Sequence, residues 1–451
     1  MSIYRQDVQD VDKAPTFKGV YMAGKPAKSR WDVCCQGGVI SSLSESIETS
    51  EETGQFLSPS LCHPHIHLDK CFLLSHPKYA DLEIKKGDFA EAMELTTIAK
   101  SRFEVDDLIE RGRALIEESI GFGVTHMRAF VEVDLGVGMK CLEAGLHLKD
   151  EFKDRCFVQI CVFAQDPIFS YEDKGQAMKS LLEKAVGREG VDAFGSTPYV
   201  EKDSNTQDQN VSYAINLAKD NKLHLDFHID YNLDSRQESA VLVAIDYLRR
   251  YGWPSDSDSP DFRTIVFGHC SRLTLFDKDE WLNLSMKAQG LPISFVGLPT
   301  SDLFMMGRPK EGSGGGDRPR GTLQIPQMIE KYGFNGAIGI NNVGNAFTPY
   351  GSCDPLALAS LGVGIYQAGT KKDAEVLLQC VSGRAKVAIG VVTFENELEV
   401  GESGDFVVFG KAIAATGSSS FRSRRMTTQD VINDPPHERT TVFKGSIVSH
   451  R

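Results

Sequence analysis

Short apolar runs alternate with stretches of helical period through the middle of the chain, from about residue 59 to about 390, which is the signature of repeated βα units. The clearest helix is predicted over 105–121, where Leu108, Ala114, Leu115 and Ile120 are among the apolar positions. Gly121 and Gly123 then lead into a strand over 124–133. Further strands are predicted over 157–163, closed by Ala164-Gln165-Asp166-Pro167, over 190–195, in the runs that end at His228 and at His269, and over 292–296 and 336–340. Helices near 174–187 and 208–220 bracket the strand at 190–195. With the stretch Pro64-His65-Ile66-His67-Leu68-Asp69-Lys70 the strand count reaches eight, a number that closes a parallel barrel.

The two ends of the chain read differently. Residues 1–58 are rich in β and turn signals, with Gly37-Gly38-Val39-Ile40-Ser41-Ser42-Leu43 alternating ahead of an acidic loop at 45–52, and β character returns at 404–409 and 441–448. The first of these ends is too short for a large core of its own. The expected architecture is therefore α/β: a (β/α)8 TIM-like barrel over 59–390, beside a small β-sandwich composed of 1–58 and 391–451. The glycine-rich run Lys310-Glu311-Gly312-Ser313-Gly314-Gly315-Gly316-Asp317-Arg318-Pro319-Arg320 lacks the order of a phosphate-cradling loop and is expected to be a mobile loop at the barrel mouth.

Composition narrows the partners. With 41% hydrophobic and 25% charged residues the 451-residue chain is that of a globular protein, and a net charge of −13 offers nucleic acid no basic surface. No run approaches the roughly 18 apolar residues of a membrane span, and the polar start Met1-Ser2-Ile3-Tyr4-Arg5-Gln6-Asp7 lacks a signal-peptide core. The expectation is a cytoplasmic protein with a small-molecule ligand and neither nucleic acid nor membrane as partner; a homo-oligomer stays open. The ten cysteines are scattered and form no C-x-x-C pair, so neither a disulfide framework nor a zinc ribbon is expected.

The chemistry gathers at histidines. Alternate residues of a strand share a face, so His65 and His67 turn both imidazoles the same way, as two ligands for one divalent ion. His228 and His269 each end a short apolar run, and a parallel barrel brings such strand ends to one mouth. Asp226 shares a face with His228 but one layer deeper, where a supporting role is expected. His63, His76, His126 and His224 are expected to be structural, and Asp354 to cap the helix that follows it.

On these residues, together with Gly123-Val124-Thr125-His126-Met127-Arg128, Phe163-Ala164-Gln165, Gly268-His269, Gly307-Arg308 and the segment 401–408, the chain resembles the amidohydrolase superfamily, in its cytosine deaminase and N-isopropylammelide hydrolase branch. The resemblance implies one divalent metal ion, zinc or iron, at the C-terminal mouth of the barrel, bound by His65, His67 and His228 and by a strand-eight carboxylate. It implies further that His269 orients and deprotonates the attacking water and that Gln165 holds the amide edge of the substrate. Two positions depart from the pattern. The strand-eight position reads Asn341, which offers an oxygen but neither charge nor proton acceptance, and the glutamate three residues beyond the strand-five histidine is replaced by Tyr231, a poor base with a reference pKa of about 10. Asp230 is the expected substitute carboxylate, acting with His269. No lysine stands at the end of strand four to bridge a second ion, Lys202 being the first and well into the loop, and Lys70 is expected to form a salt bridge at the mouth. The implied function is metal-dependent hydrolysis of a non-peptide C–N bond in a small cyclic amide, amidine or amino-heterocycle. A silent ligand binder and a lyase on the same scaffold are the alternatives. The segment 300–306 offers apolar bulk, which suggests a ligand larger or less polar than a bare pyrimidine.

Overall fold

The chain opens with four strands, β1 (Thr16–Met22), β2 (Trp31–Gln36), β3 (Val39–Glu45) and β4 (Phe56–Pro59). Eight follow, β5 (Leu61–His67), β6 (Val124–Glu132), β7 (Phe157–Ala164), β8 (Val191–Ser196), β9 (His224–Ile229), β10 (Ile265–His269), β11 (Ile293–Gly297) and β12 (Asn335–Ile338), and three close the chain, β13 (Phe406–Phe409), β14 (Arg439–Phe443) and β15 (Ser446–His450). The structure is a computed structural model and describes residues 15–47, 55–308, 320–391, 398–410 and 427–451. Residues 310–319 of the glycine-rich run and the acidic loop beyond residue 47 lie outside the described residues.

Strands β5 to β12 pair in sequence order, each parallel to the next. The ring is closed by a parallel bridge between Ile66 and Asn341. Helices cover the strands from outside because their apolar stripes need a face to bury. The helix Val105–Gly121 falls where its periodicity predicts, and Asp107 closes its first turn by accepting from Glu104 N at 2.8 Å. The expected strand at 336–340 ends earlier, at Ile338, because Asn341 adopts a left-handed conformation (φ 66°) that no strand continues through. Inside the barrel, below the mouth, Arg128 is wholly buried and donates to Asp226 Oδ2 at 2.7 Å, to Gln159 Oε1 at 2.6 Å and to the Ile389 carbonyl at 3.3 Å.

Strands from both chain ends share one seven-stranded sheet in the order β15-β14-β13-β4-β1-β2-β3, with the ends meeting where β4 pairs antiparallel to β13. Val20, Val33, Ile40, Leu57, Phe406 and Val408 form an apolar cluster of its own. It is tied to the barrel by a buried fork: Arg439 meets the two Asp354 oxygens at 2.7 and 2.6 Å and also donates to the Phe122 carbonyl at 2.7 Å. Asp354 caps the helix Pro355–Ile365 as expected, accepting from Leu356 N at 2.9 Å. Among the described residues no helix is long and apolar enough to cross a membrane.

Arg439→Met is expected to cost about 3–5 kcal/mol, because it leaves Asp354 buried without its counter-charge. Chemical denaturation checks this, and the double variant with Asp354→Asn should recover part of the loss.

Candidate active site

The C-terminal strand ends carry the site. The register of β5 against β6 shifts between His63 and Ile66, next to Pro64, and His65 and His67 are both buried at its end. His228 comes from β9. Its Nε2 lies 2.9 Å from His65 Nε2 and 3.1 Å from His67 Nε2. Gly268 leaves room for this approach, since a Cβ there would stand 3.3 Å from His65 Cε1. Burial, aided by neighbouring imidazoles and by the Lys70 charge, holds all three rings well below the ordinary histidine range, so they are neutral.

Each neutral imidazole carries one N–H. The three Nδ1 atoms have no hydrogen-bond partner, and the three Nε2 atoms face one another. One cation among them would satisfy every lone pair at once, and the three residues form a compact ligand set. Asn341 adds an oxygen. Its Nδ2 donates to Ser301 Oγ at 2.8 Å, while Oδ1, which interacts with His65, is buried without a hydrogen-bond partner. Three neutral nitrogens and one amide oxygen fit a divalent ion of the zinc or iron kind.

His269, at the end of β10, holds the other side of the cavity. Its Nδ1 is 2.7 Å from Asp302 Oδ1, and Asp302, with no exposed surface, accepts from Thr322 Oγ1 through Oδ2 at 2.6 Å. The Tyr231 ring packs on the His269 ring, 4.1 Å between centroids. Burial and the Asp302 charge push the Tyr231 phenol well above its usual range, so it is no base. Asp302 was missed by sequence reasoning, which read 300–306 as apolar bulk. The available signal was an acidic residue only five positions beyond the end of β11.

Asp230 is a correction. Its carboxylate accepts from Ser239 Oγ at 2.5 Å and from Ala240 N at 2.8 Å, capping the helix Ala240–Arg250, and it does not line the cavity. Its left-handed backbone (φ 53°) ends the strand alternation that would have aimed it inward with His228. The apolar bulk of 300–306 is a second correction. Those residues form the helix Pro299–Met305, Phe304, Met305 and Met306 pack with Phe89, Ala92 and Met93, and only Ser301 reaches the cavity.

The cavity is walled by the aromatic rings Phe89, Tyr199, Tyr231 and Phe347, with Lys70, Gln165 and Asn342 as polar groups. Lys70 is buried and ion-paired with Glu132, and it donates to Gln165 Oε1 at 3.2 Å, which leaves the Gln165 amide nitrogen as a donor. Glu132 also pairs with Lys100 at 2.9 Å, and Lys100 reaches Asp134 at 2.5 Å and Asp166 at 3.3 Å. Sequence reasoning found Lys70 as a salt-bridging residue but not its partner. His63 meets Ser119 at 3.1 Å, His126 meets Thr125 at 2.8 Å and His224 meets Thr264 at 2.9 Å, all away from the cavity.

A parallel eight-stranded barrel with imidazoles gathered at its C-terminal mouth, beside a sheet pooled from both chain ends, defines the class: the chain has the fold of the amidohydrolase superfamily. No family model matches it. Over 417 residues it is 22% identical to N-isopropylammelide isopropyl amidohydrolase of Pseudomonas sp. (strain ADP), covering 87% of this chain and 90% of that protein. It is similar in structure to 5-methylcytosine deaminase of Klebsiella pneumoniae liganded with 5-fluorocytosine, with a TM-score of 0.80 and 19% identity over 97% of this chain and 98% of that one. It is also similar to atrazine chlorohydrolase of Arthrobacter aurescens TC1 complexed with zinc, with a TM-score of 0.64 and 13% identity over 96% and 94% of the two chains.

Burial raises the Glu132 carboxyl, but Lys100 and Lys70 more than offset this and hold it down at about 2. A carboxyl lowered on folding stabilises fully above its ordinary 4.5 and loses that contribution as pH falls toward about 2. Glu132→Gln leaves the buried Lys70 ammonium without its carboxylate, while Lys100 keeps Asp134 and Asp166, and is expected to cost about 3–5 kcal/mol at neutral pH. Its melting temperature should also fall less steeply across that acid range, which calorimetry reads.

Proposed function

We propose that the protein is a metal-dependent hydrolase that opens a non-peptide C–N bond in a small, flat, nitrogen-containing ring compound, releasing ammonia or an amine. The observation that carries this reading is the convergence of His65, His67 and His228 on one point, with the unpartnered Asn341 oxygen beside it and His269 across the cavity. A single divalent ion held there, zinc or iron, would supply the Lewis acidity that brings the pKa of a water from 15.7 to about 7.

The chain's own groups do the rest. His269, whose Nδ1 faces Asp302, has Nε2 left to take a proton on the cavity side. Lys70 and the Gln165 amide nitrogen present donors, so the ring edge they meet is an acceptor, such as a ring carbonyl. The aromatic walls Phe89, Tyr199, Tyr231 and Phe347 stack against a planar ring and exclude water. The ring compounds in the relatives' names, N-isopropylammelide and 5-methylcytosine, meet this description. Nine of the ten cysteines are buried and no disulfide joins any of them, which agrees with a cytoplasmic location.

A panel of cyclic ureas, lactams and amino-heterocycles, with release of ammonia or amine as readout, tests the reading alongside metal analysis. About one equivalent of zinc or iron and turnover of at least one ring compound are expected, with His228→Ala losing more than about nine-tenths of the metal. Protein that binds such rings but holds no metal and turns none over would establish the silent binder instead.

A further inference from the structure

The groups gathered at the three-imidazole cluster bring no negative charge: the rings are neutral and Asn341 is an amide. Of Asp226, Asp230 and Asp302, the first two are committed elsewhere. Asp226 is 3.9 Å from His65 Nδ1 but is bound by Arg128 at 2.7 Å, and Asp230 caps a helix. The third, Asp302, is hydrogen-bonded to an imidazole that lines the cavity. Adjacent residues of one short helix thus serve the two halves of the site: Ser301 Oγ accepts from Asn341 Nδ2 at 2.8 Å, and Asp302 Oδ1 meets His269 Nδ1 at 2.7 Å.

Resting on the hydrolase reading above, we infer that Asp302 is the positioning residue of the proton-transfer step, acting through His269 and never touching the substrate. A carboxylate at 2.7 Å fixes the ring proton on Nδ1, which leaves the Nε2 lone pair for the cavity. The Thr322 hydroxyl donates to the other oxygen of the carboxylate at 2.6 Å, and the Tyr231 ring, 4.1 Å between centroids, packs on the imidazole. In the reaction the water's proton moves to Nε2 as its oxygen bonds the ring carbon. The same proton then passes to the leaving nitrogen as the C–N bond breaks. The Asp302 carboxylate, hydrogen-bonded to Nδ1, faces the imidazolium formed between the two transfers.

The first readout needs no substrate. Nitrogen-15 spectra of histidine-labelled protein, metal-free and zinc-loaded, are expected to show His269 as the Nδ1–H tautomer, and Asp302→Asn is expected to shift it toward Nε2–H with the zinc content kept. An unchanged tautomer overturns the inference. The second readout is turnover of cytosine, 5-methylcytosine and N-isopropylammelide. Asp302→Asn should lower kcat by about 10²–10⁴-fold while KM changes less than about threefold and Asp302→Glu restores part of the rate. If His269→Ala abolishes turnover and Asp302→Asn does not, the inference fails while the hydrolase reading stands; if none of these compounds nor any in the wider panel is turned over, the hydrolase reading fails and the spectra still decide the tautomer. Should Asp302→Asn not fold, Thr322→Val removes only the hydroxyl donor and is expected to cost about tenfold in kcat, with an unchanged rate and an unchanged tautomer counting against the inference.

Discussion

Two backbone hydrogen bonds close the barrel and assemble the site together: His67 N–H to the Asn341 carbonyl at 2.8 Å, and Asn341 N–H to the His65 carbonyl at 3.1 Å. They join the first strand to the turn beyond the last, so the two imidazoles and the amide are placed in register by the act of closure. A slip of one residue would turn both histidines to the opposite face of β5. Closure also uses strained backbone. Asp230, His269, Cys270 and Asn341 all have φ between 49° and 67°, and each stands just at or beyond the end of a barrel strand. Left-handed conformations of this kind cost on the order of 1–3 kcal/mol each for residues with a side chain. The continuous apolar core between strands and helices is what offsets them.

Around this frame, the buried charges are paired with one another. The ion network of Lys70, Glu132, Lys100, Asp134 and Asp166 lies along the ends of β5, β6 and β7 and the helix Phe89–Lys100. Within it Lys70 puts one ammonium into the cavity wall, 5.6 Å from the Phe347 ring centroid, while Glu132 balances it from behind. The depth of the barrel is managed in the same manner, with the Arg128 guanidinium paired to Asp226 beneath His65. Burying an unpaired charge would cost several kcal/mol, and each of these cations has its anion within hydrogen-bond reach.

Sequence reasoning reached the frame because its signals are local. Strand alternation placed His65 and His67 on one face, short apolar runs placed His228 and His269 at strand ends, and the strong period over Val105–Gly121 marked the helix to its bounds. What it missed depends on direction and on contacts far apart in the chain. Asp230 stands two residues from His228, yet its φ of 53° turns the side chain to a helix terminus. Asp302 is hidden in a stretch that reads as apolar bulk until His269, 33 residues earlier, is folded against it. Glu132 likewise gains its meaning only from Lys70, 62 residues away.

The amide at Asn341 changes what such a site can do. A carboxylate beside three imidazoles would leave a divalent ion with a net charge of +1, whereas an amide oxygen leaves +2. The ion would be held less tightly, because a neutral oxygen dipole attracts it less than an anion does. A divalent ion held by neutral donors would supply stronger Lewis acidity than one held by a carboxylate. The structure keeps a carboxylate at Asp302, hydrogen-bonded to His269 and not to the three-imidazole cluster. Barrel closure thus sets a neutral amide oxygen beside the three imidazoles, while the buried carboxylate, held by Thr322, is hydrogen-bonded to His269 instead.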